Sequence, residues 1–261
     1  MKSALNNHFF LALAISFSLV ACNSDDKKSE ETTTADTTVT ASAEKTTAAA
    51  TEEKIDAVAT APNLYKVLSD SLGIRILEAT YKPGDSSALH SHPVTAMYVV
   101  QGGMADFIGK DGTKMSRELK TGMSGISGYD LHSVKNTGKT TLKVIVVEFN
   151  RPANTVAPDA ATDAAKVAAD NYKAVHDSLG IRIVEVNYKP GQSSAFHSHP
   201  DLAAYVVNGG TGELTDKEGK KNVLEMKSGA AWITGAAAHS GKILSKKPFK
   251  LILFEVNRAR N

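Results

Sequence analysis

The chain has 261 residues, of which 42% are hydrophobic, and its formal net charge is +2 at pH 7. This composition allows a sizeable core, and the scattered lysines, which form no basic run with interleaved aromatic residues, argue against nucleic-acid binding. Cys22 is the only cysteine, and it belongs to an N-terminal signal, so disulfides and thiolate catalysis are excluded for the folded part.

The N-terminus has the features of a secretory signal. Lys2 supplies a positive charge, and residues 9–20 form an apolar run, FFLALAISFSLV, that is shorter than the about 20 residues needed to span a bilayer. The run ends in Leu-Val-Ala-Cys, which resembles a bacterial lipobox, where the cysteine is lipidated. We expect residues 1–21 to be a lipoprotein signal peptide and Cys22 to anchor the protein in the cell envelope, on either face of the outer membrane.

Residues 22–59 have the composition of a disordered tether. They are rich in Thr, Ala, Glu and Asp and contain no aromatic residue, so they cannot bury enough apolar surface to offset the entropy of ordering. A coil of about 40 residues reaches roughly 35 Å. The tether is acidic, which leaves the remainder mildly basic and would favour a small anionic ligand.

The rest of the chain is an internal duplication. Tyr65 aligns with Tyr172, and the offset of 107 residues holds without a gap up to the pair Arg151 and Arg258, with about half of the aligned positions identical. Each copy is long enough for a small domain with its own core. The predicted units are domain 1 (60–152), an alanine-rich linker with a short helix (153–170) and domain 2 (171–261).

Each copy consists of short runs rich in Val, Ile, Leu and Tyr, separated by glycine-containing turns. In the first copy IRILEATY, AMYVVQGG, MADFIG and TLKVIVVEF have strand character, whereas KPGDSS, GKDGTK and KNTGKTT are turns. Many short strands with turn signals are typical of a sandwich or barrel. We therefore predict an all-β chain of two barrels that pack against each other.

Six of the eight histidines occupy matched positions in the two copies. Residues two apart on a strand face the same side, so each His-Ser-His can point two imidazoles into one cavity, and a histidine on a later strand can complete the set. As ordinary polar residues, three histidines converging inside an apolar barrel would each need a buried partner, whereas one metal ion satisfies all three. Three imidazoles suit Fe, Zn, Mn, Ni or Cu and leave coordination positions open. The candidate ligands are His90, His92 and His132 in the first copy and His197, His199 and His239 in the second.

Two stretches of each copy resemble the two sequence motifs of the cupins. The HSHP…YVV…GG pattern is particularly similar to small single-domain cupins, some of them connected with beta-alanine degradation. The resemblance covers both copies and implies a double-stranded β-helix barrel with a metal inside, here twice in one chain, as in a bicupin. In the first copy the matching residues are Gly84, His90, His92 and Gly102 for the first motif and Gly122, His132 and Asn136 for the second.

One departure from the cupin pattern bears on function. Many cupins carry a metal-binding glutamate five residues after the second histidine, where this chain has Met97 and Ala204. Three neutral ligands leave a divalent ion its full charge, so the site should prefer an anionic partner such as a carboxylate. In a regular pleat Met97 faces the cavity, and the adjacent Tyr98, like Tyr205, is expected to pack on the other side.

Further candidates flank the histidines. Tyr129 and Asp130 precede His132 and are capable of proton transfer, although both also suit a turn, and the second copy has alanines there. Arg75 and Arg182 could clamp a carboxylate or could be solvent-facing strand residues.

Three functions are compatible with this sequence. The first is a metal-dependent enzyme acting on a small, anionic molecule, as an oxygenase with Fe(II) or, with Zn, as a hydrolase or isomerase in which bound water is activated. The second is a non-catalytic module that binds a small molecule or a metal. The third is a structural or partner-binding barrel with residual metal sites.

Overall fold

A computed structural model describes residues 52–260, which form two β-barrels in succession along the chain. The signal peptide, Cys22 and most of the predicted tether lie outside the described residues. Among residues 52–260, no helix is long and apolar enough to cross a membrane. The first barrel comprises α1 (Ala57–Thr60), β1 (Tyr65–Ser71), β2 (Ile74–Tyr81), β3 (His90–His92), β4 (Val94–Gln101), β5 (Gly103–Gly109), β6 (Lys114–Leu119), β7 (Ser124–Ser127), β8 (Asp130–Asn136) and β9 (Leu142–Phe149). The second comprises α2 (Ala164–Val167), β10 (Tyr172–Ser178), β11 (Ile181–Tyr188), β12 (His197–His199), β13 (Leu202–Asn208), β14 (Gly210–Thr215), β15 (Lys221–Met226), β16 (Ala231–Thr234), β17 (Ala237–Ile243) and β18 (Phe249–Val256).

Each barrel is built from two antiparallel sheets. In the first barrel a 5-stranded sheet, β1-β2-β9-β4-β7, is accompanied by a 4-stranded sheet, β3-β8-β5-β6, and the second barrel repeats this order as β10-β11-β18-β13-β16 and β12-β17-β14-β15. The chain passes repeatedly from one sheet to the other, as in a jelly roll. The predicted all-β fold of two double-stranded β-helix barrels is confirmed.

The 5-stranded sheets are buried on both faces. On β2, Leu77 and Tyr81 face the interior of the first barrel, whereas Ile74 and Ile76 belong to a cluster that also contains residues of the second barrel. Because both faces are covered, these strands read as nearly continuous apolar runs. The halves therefore pack together as predicted.

Tyr98 and Tyr205 belong to this shared cluster. Both are buried, and their ring centroids lie 6.2 Å apart. The expectation that these tyrosines pack rather than face the cavity is confirmed.

A reciprocal arginine contact joins the two barrels. Arg151 Nη1 donates to the Arg258 carbonyl at 3.2 Å, and Arg258 Nη1 donates to the Arg151 carbonyl at 3.3 Å. Each Nε also donates to a hairpin turn of its own barrel, to Leu72 O at 2.8 Å and Leu179 O at 2.7 Å. These leucines have φ of 53° and 52°, which is unusual for a bulky residue, and the arginines help to hold them there. The contact is reciprocal, as expected for two halves related by an approximate two-fold axis.

The tether was predicted to extend to residue 59, but its last residues, from Ile55 to Val58, pack against the first barrel, which corrects that boundary. The Ser91 amide donates to the Ile55 carbonyl at 2.8 Å, and Ala57 in α1 is fully buried. Asp56 caps α1 by accepting from the Ala59 amide at 2.8 Å. These few residues bury small apolar side chains against β3. The average composition of the tether does not reveal this packing.

The linker was predicted to span residues 153–170, and its last residues, from Thr162 onward, belong to the second barrel in the same way. It contains the expected short helix, α2, capped by Asp163. The Ser198 amide donates to the Thr162 carbonyl at 2.7 Å, and Ala164 is fully buried. The domain boundaries therefore move upstream in both copies.

Candidate metal centres

The first histidine triad lies where β3 pairs with β8. Backbone pairing sets His90 opposite His132, and the strand period places His92 on the same face as His90. The ring centroids of His90 lie 4.9 Å from those of both other histidines, and those of His92 and His132 are 5.6 Å apart. One ring nitrogen from each lies within 4.8 Å of the others, so a single ion could contact all three.

The second triad has the same construction on β12 and β17. His197 lies opposite His239, and His199 shares the face of His197. The ring centroids of His197 lie 4.8 Å from those of both other histidines, and those of His199 and His239 are 5.5 Å apart. The structure thus brings all six predicted histidines together in two groups. His176, by contrast, is exposed.

Hydrogen bonds orient the imidazoles of the first triad. Each Nδ1 faces a carbonyl or carboxylate oxygen, which has no proton to donate. Each Nδ1 therefore carries the hydrogen, and each Nε2 keeps its lone pair for the centre of the triad. The acceptors are the Ala88 carbonyl at 2.9 Å from His90, the Glu148 carboxylate at 2.7 Å from His92 and the Asp130 carboxylate at 2.8 Å from His132.

The second triad repeats two of these three bonds. His197 Nδ1 donates to the Ala195 carbonyl at 2.7 Å, and His199 Nδ1 donates to Glu255 at 2.7 Å. Ala237 occupies the position equivalent to Asp130 and offers no side-chain acceptor to His239. The third imidazole is therefore less constrained in the second barrel.

The two arginines predicted as anion clamps have a different role. Arg75 Nε donates to Glu148 at 2.6 Å, and its Nη2 lies 2.6 Å from Asp56. Held between two carboxylates, this guanidinium is occupied, which corrects the predicted role in ligand binding. It positions the glutamate that orients His92.

Arg182 is held in the same way in the second barrel. Its Nε donates to Glu255 at 2.7 Å, and both terminal nitrogens donate to Asp163 at 2.8 Å. The anion-clamp role is corrected here too, because the fork is already filled by a carboxylate. Both arginines oppose their glutamates directly in the strand register.

Burial favours the neutral form of four of the six triad histidines, because it lowers the pKa of each of them. Desolvation lowers the pKa of His90 and of His197 to about 4, and the pKa of His239 to about 3. Desolvation also lowers the pKa of His132, although the Asp130 carboxylate opposes the shift. Neutral imidazole is the form that binds metal.

The buried nitrogens of the triads provide a test of whether a metal fits. His197 Nε2 is buried and has no hydrogen-bond partner among the described residues, a costly arrangement that a coordinated ion would relieve. In the first barrel the Tyr65 hydroxyl accepts from Tyr81 at 2.9 Å and donates to His90 Nε2 at 2.9 Å. The donor set fits a divalent transition metal at both triads, with one coordination bond in the first barrel replacing a hydrogen bond.

The two predicted proton-transfer candidates are engaged elsewhere. Asp130 is the first residue of β8, and its carboxylate accepts from His132. The Tyr129 hydroxyl donates to the Glu53 carbonyl at 2.7 Å. Each group therefore already holds a hydrogen bond outside the centre of the triad.

The second barrel contains a cavity that the sequence analysis did not identify. Its volume is about 550 Å³, and His199, His239 and Trp232 are among its lining residues. The sequence did contain a sign of this cavity, because one pair of cross-strand partners differs in side-chain size between the copies. Met97 and Gly125 form the pair in the first copy, and Ala204 and Trp232 form it in the second.

Comparison with known proteins gives a fold. No protein-family model and no curated protein matches the sequence. AerE from Microcystis aeruginosa matches with a TM-score of 0.55 and 13% identity, over 74% of this chain and 91% of that chain. A variant of oxalate decarboxylase from Bacillus subtilis matches with a TM-score of 0.53 and 12% identity, over 80% of this chain and 75% of that one. A salicylate 1,2-dioxygenase from Pseudaminobacter salicylatoxidans matches with a TM-score of 0.50 and 11% identity, over 74% of this chain and 76% of the other. The chain therefore has the cupin fold and, with two such barrels in tandem, the architecture of a bicupin.

Proposed function

We propose that the protein is a metal-dependent enzyme that acts on a small anionic molecule bound at a histidine-held metal ion. One observation carries the proposal. In each barrel three imidazoles converge, and in the second barrel one of their nitrogens, His197 Nε2, is buried without a partner among the residues described. A divalent ion bound there would supply a Lewis acid with open coordination positions.

The surrounding residues support an anionic substrate. Five of the six imidazoles donate through Nδ1 to a carbonyl or carboxylate oxygen, so each of these five presents Nε2 to an ion. Met97 and Ala204 stand where a carboxylate ligand would reduce the charge of the site. Oxalate decarboxylase and salicylate dioxygenase, which share the fold, are named for small carboxylate substrates.

Metal content tests the first step. Metal analysis by mass spectrometry of the full chain should find about two ions per chain, about one in either His90→Ala or His197→Ala, and almost none in the double variant. His176→Ala removes an exposed histidine and serves as the matched control. Metal content that is unchanged by the triad substitutions would contradict the proposal.

A non-catalytic binding module is the second candidate, and one observation favours it. Asp130 and Tyr129 are engaged by His132 and Glu53, and alanines replace both in the second barrel. Oxygen uptake and product analysis with a panel of small carboxylates separate the candidates. Metal-dependent turnover supports the enzyme, whereas carboxylates that bind the metal-loaded protein and are recovered unchanged support the module.

We also propose that the protein is anchored in the cell envelope through a lipid on Cys22. The support is the sequence of residues 1–22 alone. Cys22→Ser should move the protein from the membrane fraction to the soluble fraction and abolish the added lipid mass. A variant that remains in the membrane fraction would contradict this location.

A further inference from the structure

We propose that the second barrel binds a molecule with one carboxylate head and an apolar, aromatic body, and that the first barrel does not. This inference rests on the proposed function, because it places the carboxylate on the metal of the second triad. It begins from the cavity of about 550 Å³ in that barrel, a volume within the range of small-molecule sites.

The cavity wall is mainly apolar. Phe249, Leu251 and Leu253 line it from β18, and Leu202 lines it from β13. Transfer of apolar surface from water to such a wall is favourable in proportion to the area buried. A purely polar anion would leave most of this wall without contacts, so the ligand must carry an apolar body.

The charged residues that line the cavity do not change this conclusion. Glu225 and Lys242 are exposed, and Glu213 is paired with Lys221 at 3.0 Å. They remain solvated and carry both signs. Arg182, whose partner Glu255 orients His199, is already bound by Asp163 and Glu255. The metal is therefore the receptor for the anionic head.

Trp232 gives the cavity an aromatic side chain at a position where the first barrel has none, whereas the aromatic ring of the first barrel, Phe107 against His132, is replaced by Leu214 in the second. In the first barrel the residue corresponding to Trp232 is Gly125, and Met97 Cε lies 3.9 Å from the place of a Cβ there. In the second barrel the partner of Trp232 is the small Ala204. The first barrel thus has a flexible thioether beside a glycine, and the second barrel has a rigid indole beside an alanine. The indole suits an aromatic ligand that stacks with an offset or packs edge-on.

The lining of the cavity includes two of the triad histidines and the indole. His199 and His239 line it together with Trp232, so a carboxylate on the ion and a ring against the indole can belong to one small molecule. Ala230 also lines this space, where the first barrel has the larger Met123. The second cavity is thus wider at the position that a ring would occupy.

Trp232 is the only tryptophan of the chain, so its fluorescence reports on the cavity directly. The full chain, loaded with Zn²⁺, is titrated with benzoate, acetate and benzyl alcohol. Benzoate should change the emission saturably and bind at least about tenfold more tightly than acetate, which lacks the ring, or benzyl alcohol, which lacks the charge. Calorimetry should give one benzoate per chain.

Substitutions locate the binding. Ala230→Met should weaken benzoate binding at least about tenfold by filling the cavity, whereas Ala174→Met, at an exposed strand position, should not. His132→Ala should leave the stoichiometry at one. Equal affinity for acetate and benzoate, two benzoates per chain, or no effect of Ala230→Met would overturn the inference.

The metal content of the protein separates the ligand class from the proposed function. Metal content is measured by mass spectrometry on the same samples. Protein that holds metal but does not prefer benzoate contradicts the ligand class alone. Protein whose triads hold no metal contradicts both proposals.

Discussion

The two triads have the same three-histidine plan but different surroundings. In the first barrel Asp130 orients His132, and Tyr65 donates to His90 Nε2. In the second barrel Ala237 replaces the aspartate, and His197 Nε2 has no partner among the described residues. Ligand identity alone therefore does not determine the properties of a metal site. The residues one contact away, which orient or occupy the ligands, are free to differ.

The ion chains behind the triads differ in burial. Glu255, Arg182 and Asp163 are almost entirely enclosed, with side-chain exposures of 0%, 5% and 2%. In the first barrel the outer carboxylate, Asp56, is 40% exposed, and Arg75 is 18% exposed. Loss of the central glutamate should therefore cost more in the second barrel, because water cannot reach the groups left behind.

The largest expected effect follows from this difference. Glu255→Ala should lower the free energy of unfolding of the metal-free protein by about 3–5 kcal/mol. The substitution removes the carboxylate that accepts from Arg182 Nε and His199 Nδ1, and both groups remain buried. Glu148→Ala should cost less, since Arg75 can be hydrated. Urea denaturation gives both values, with the exposed Glu118→Ala as the control. Equal costs in the two barrels would show that the difference in burial has no energetic consequence.

The two copies also differ at Asp201, whose counterpart in the first copy is Val94. Hydrogen bonds from Arg260 lower the pKa of Asp201, and bonds from Arg151 and the Ala236 amide add to this, against burial, which raises it. A carboxyl whose pKa is lower in the folded state stabilises the protein above its usual pKa of 3.8 and loses that contribution as the pH falls.

Asp201→Asn should therefore cost about 2–3 kcal/mol at pH 7, because Arg151 is buried and loses its charged partner. The difference from the native chain should shrink as the pH is lowered below 3.8, through the acid range. Urea denaturation at several pH values measures this difference. If the cost of the substitution stayed constant down to pH 3, the charge of Asp201 would not be the source of its stabilisation.

The third prediction exchanges the orienting group between the triads. Asp130→Ala should weaken metal binding at the first triad by about 10- to 100-fold, because His132 loses its acceptor. Ala237→Asp should strengthen metal binding at the second triad, because it gives His239 the acceptor that His132 has. Competition titration against a chromophoric chelator measures both affinities, with the exposed Asp70→Ala as the control. Unchanged affinities would assign Asp130 a role in folding only.

The smallest expected effect concerns the hydroxyl that meets His90. Tyr65→Phe should tighten metal binding at the first triad by about two- to tenfold, because no hydrogen bond to Nε2 has to be broken. Tyr172→Phe should leave the second triad unchanged, since that hydroxyl pairs with Tyr188 at 3.1 Å. The same chelator titration measures this. Weaker binding in Tyr65→Phe would mean that the hydroxyl assists the metal instead of competing with it.

Much of this fold was predictable because its signals are local or repeated. The period of two in His-Ser-His places two imidazoles on one face, and the duplication marks the third histidine in each copy. Strand runs and glycine turns indicate an all-β chain without knowledge of the pairing. The burial of Tyr98 follows from the same alternation.

The ion chains were not predictable in this way. Arg75 and Glu148 are 73 residues apart and meet because β2 and β9 pair in one particular register. No local pattern specifies that register. The repeated Asp-Ala at 56–57 and 163–164 was available as a signal, but two residues in an otherwise polar segment are too few to predict packing.

The reciprocal contact of Arg151 and Arg258 has a consequence for how the halves can change. A self-complementary face of this kind is what two identical subunits use to form a symmetric dimer, and here both subunits are on one polypeptide. In such a dimer every substitution would appear twice, once on each side of the axis. In a fused chain it appears once, so Asp201 can join Arg151 without a second aspartate opposite, and one barrel can gain a tryptophan while its neighbour keeps a glycine.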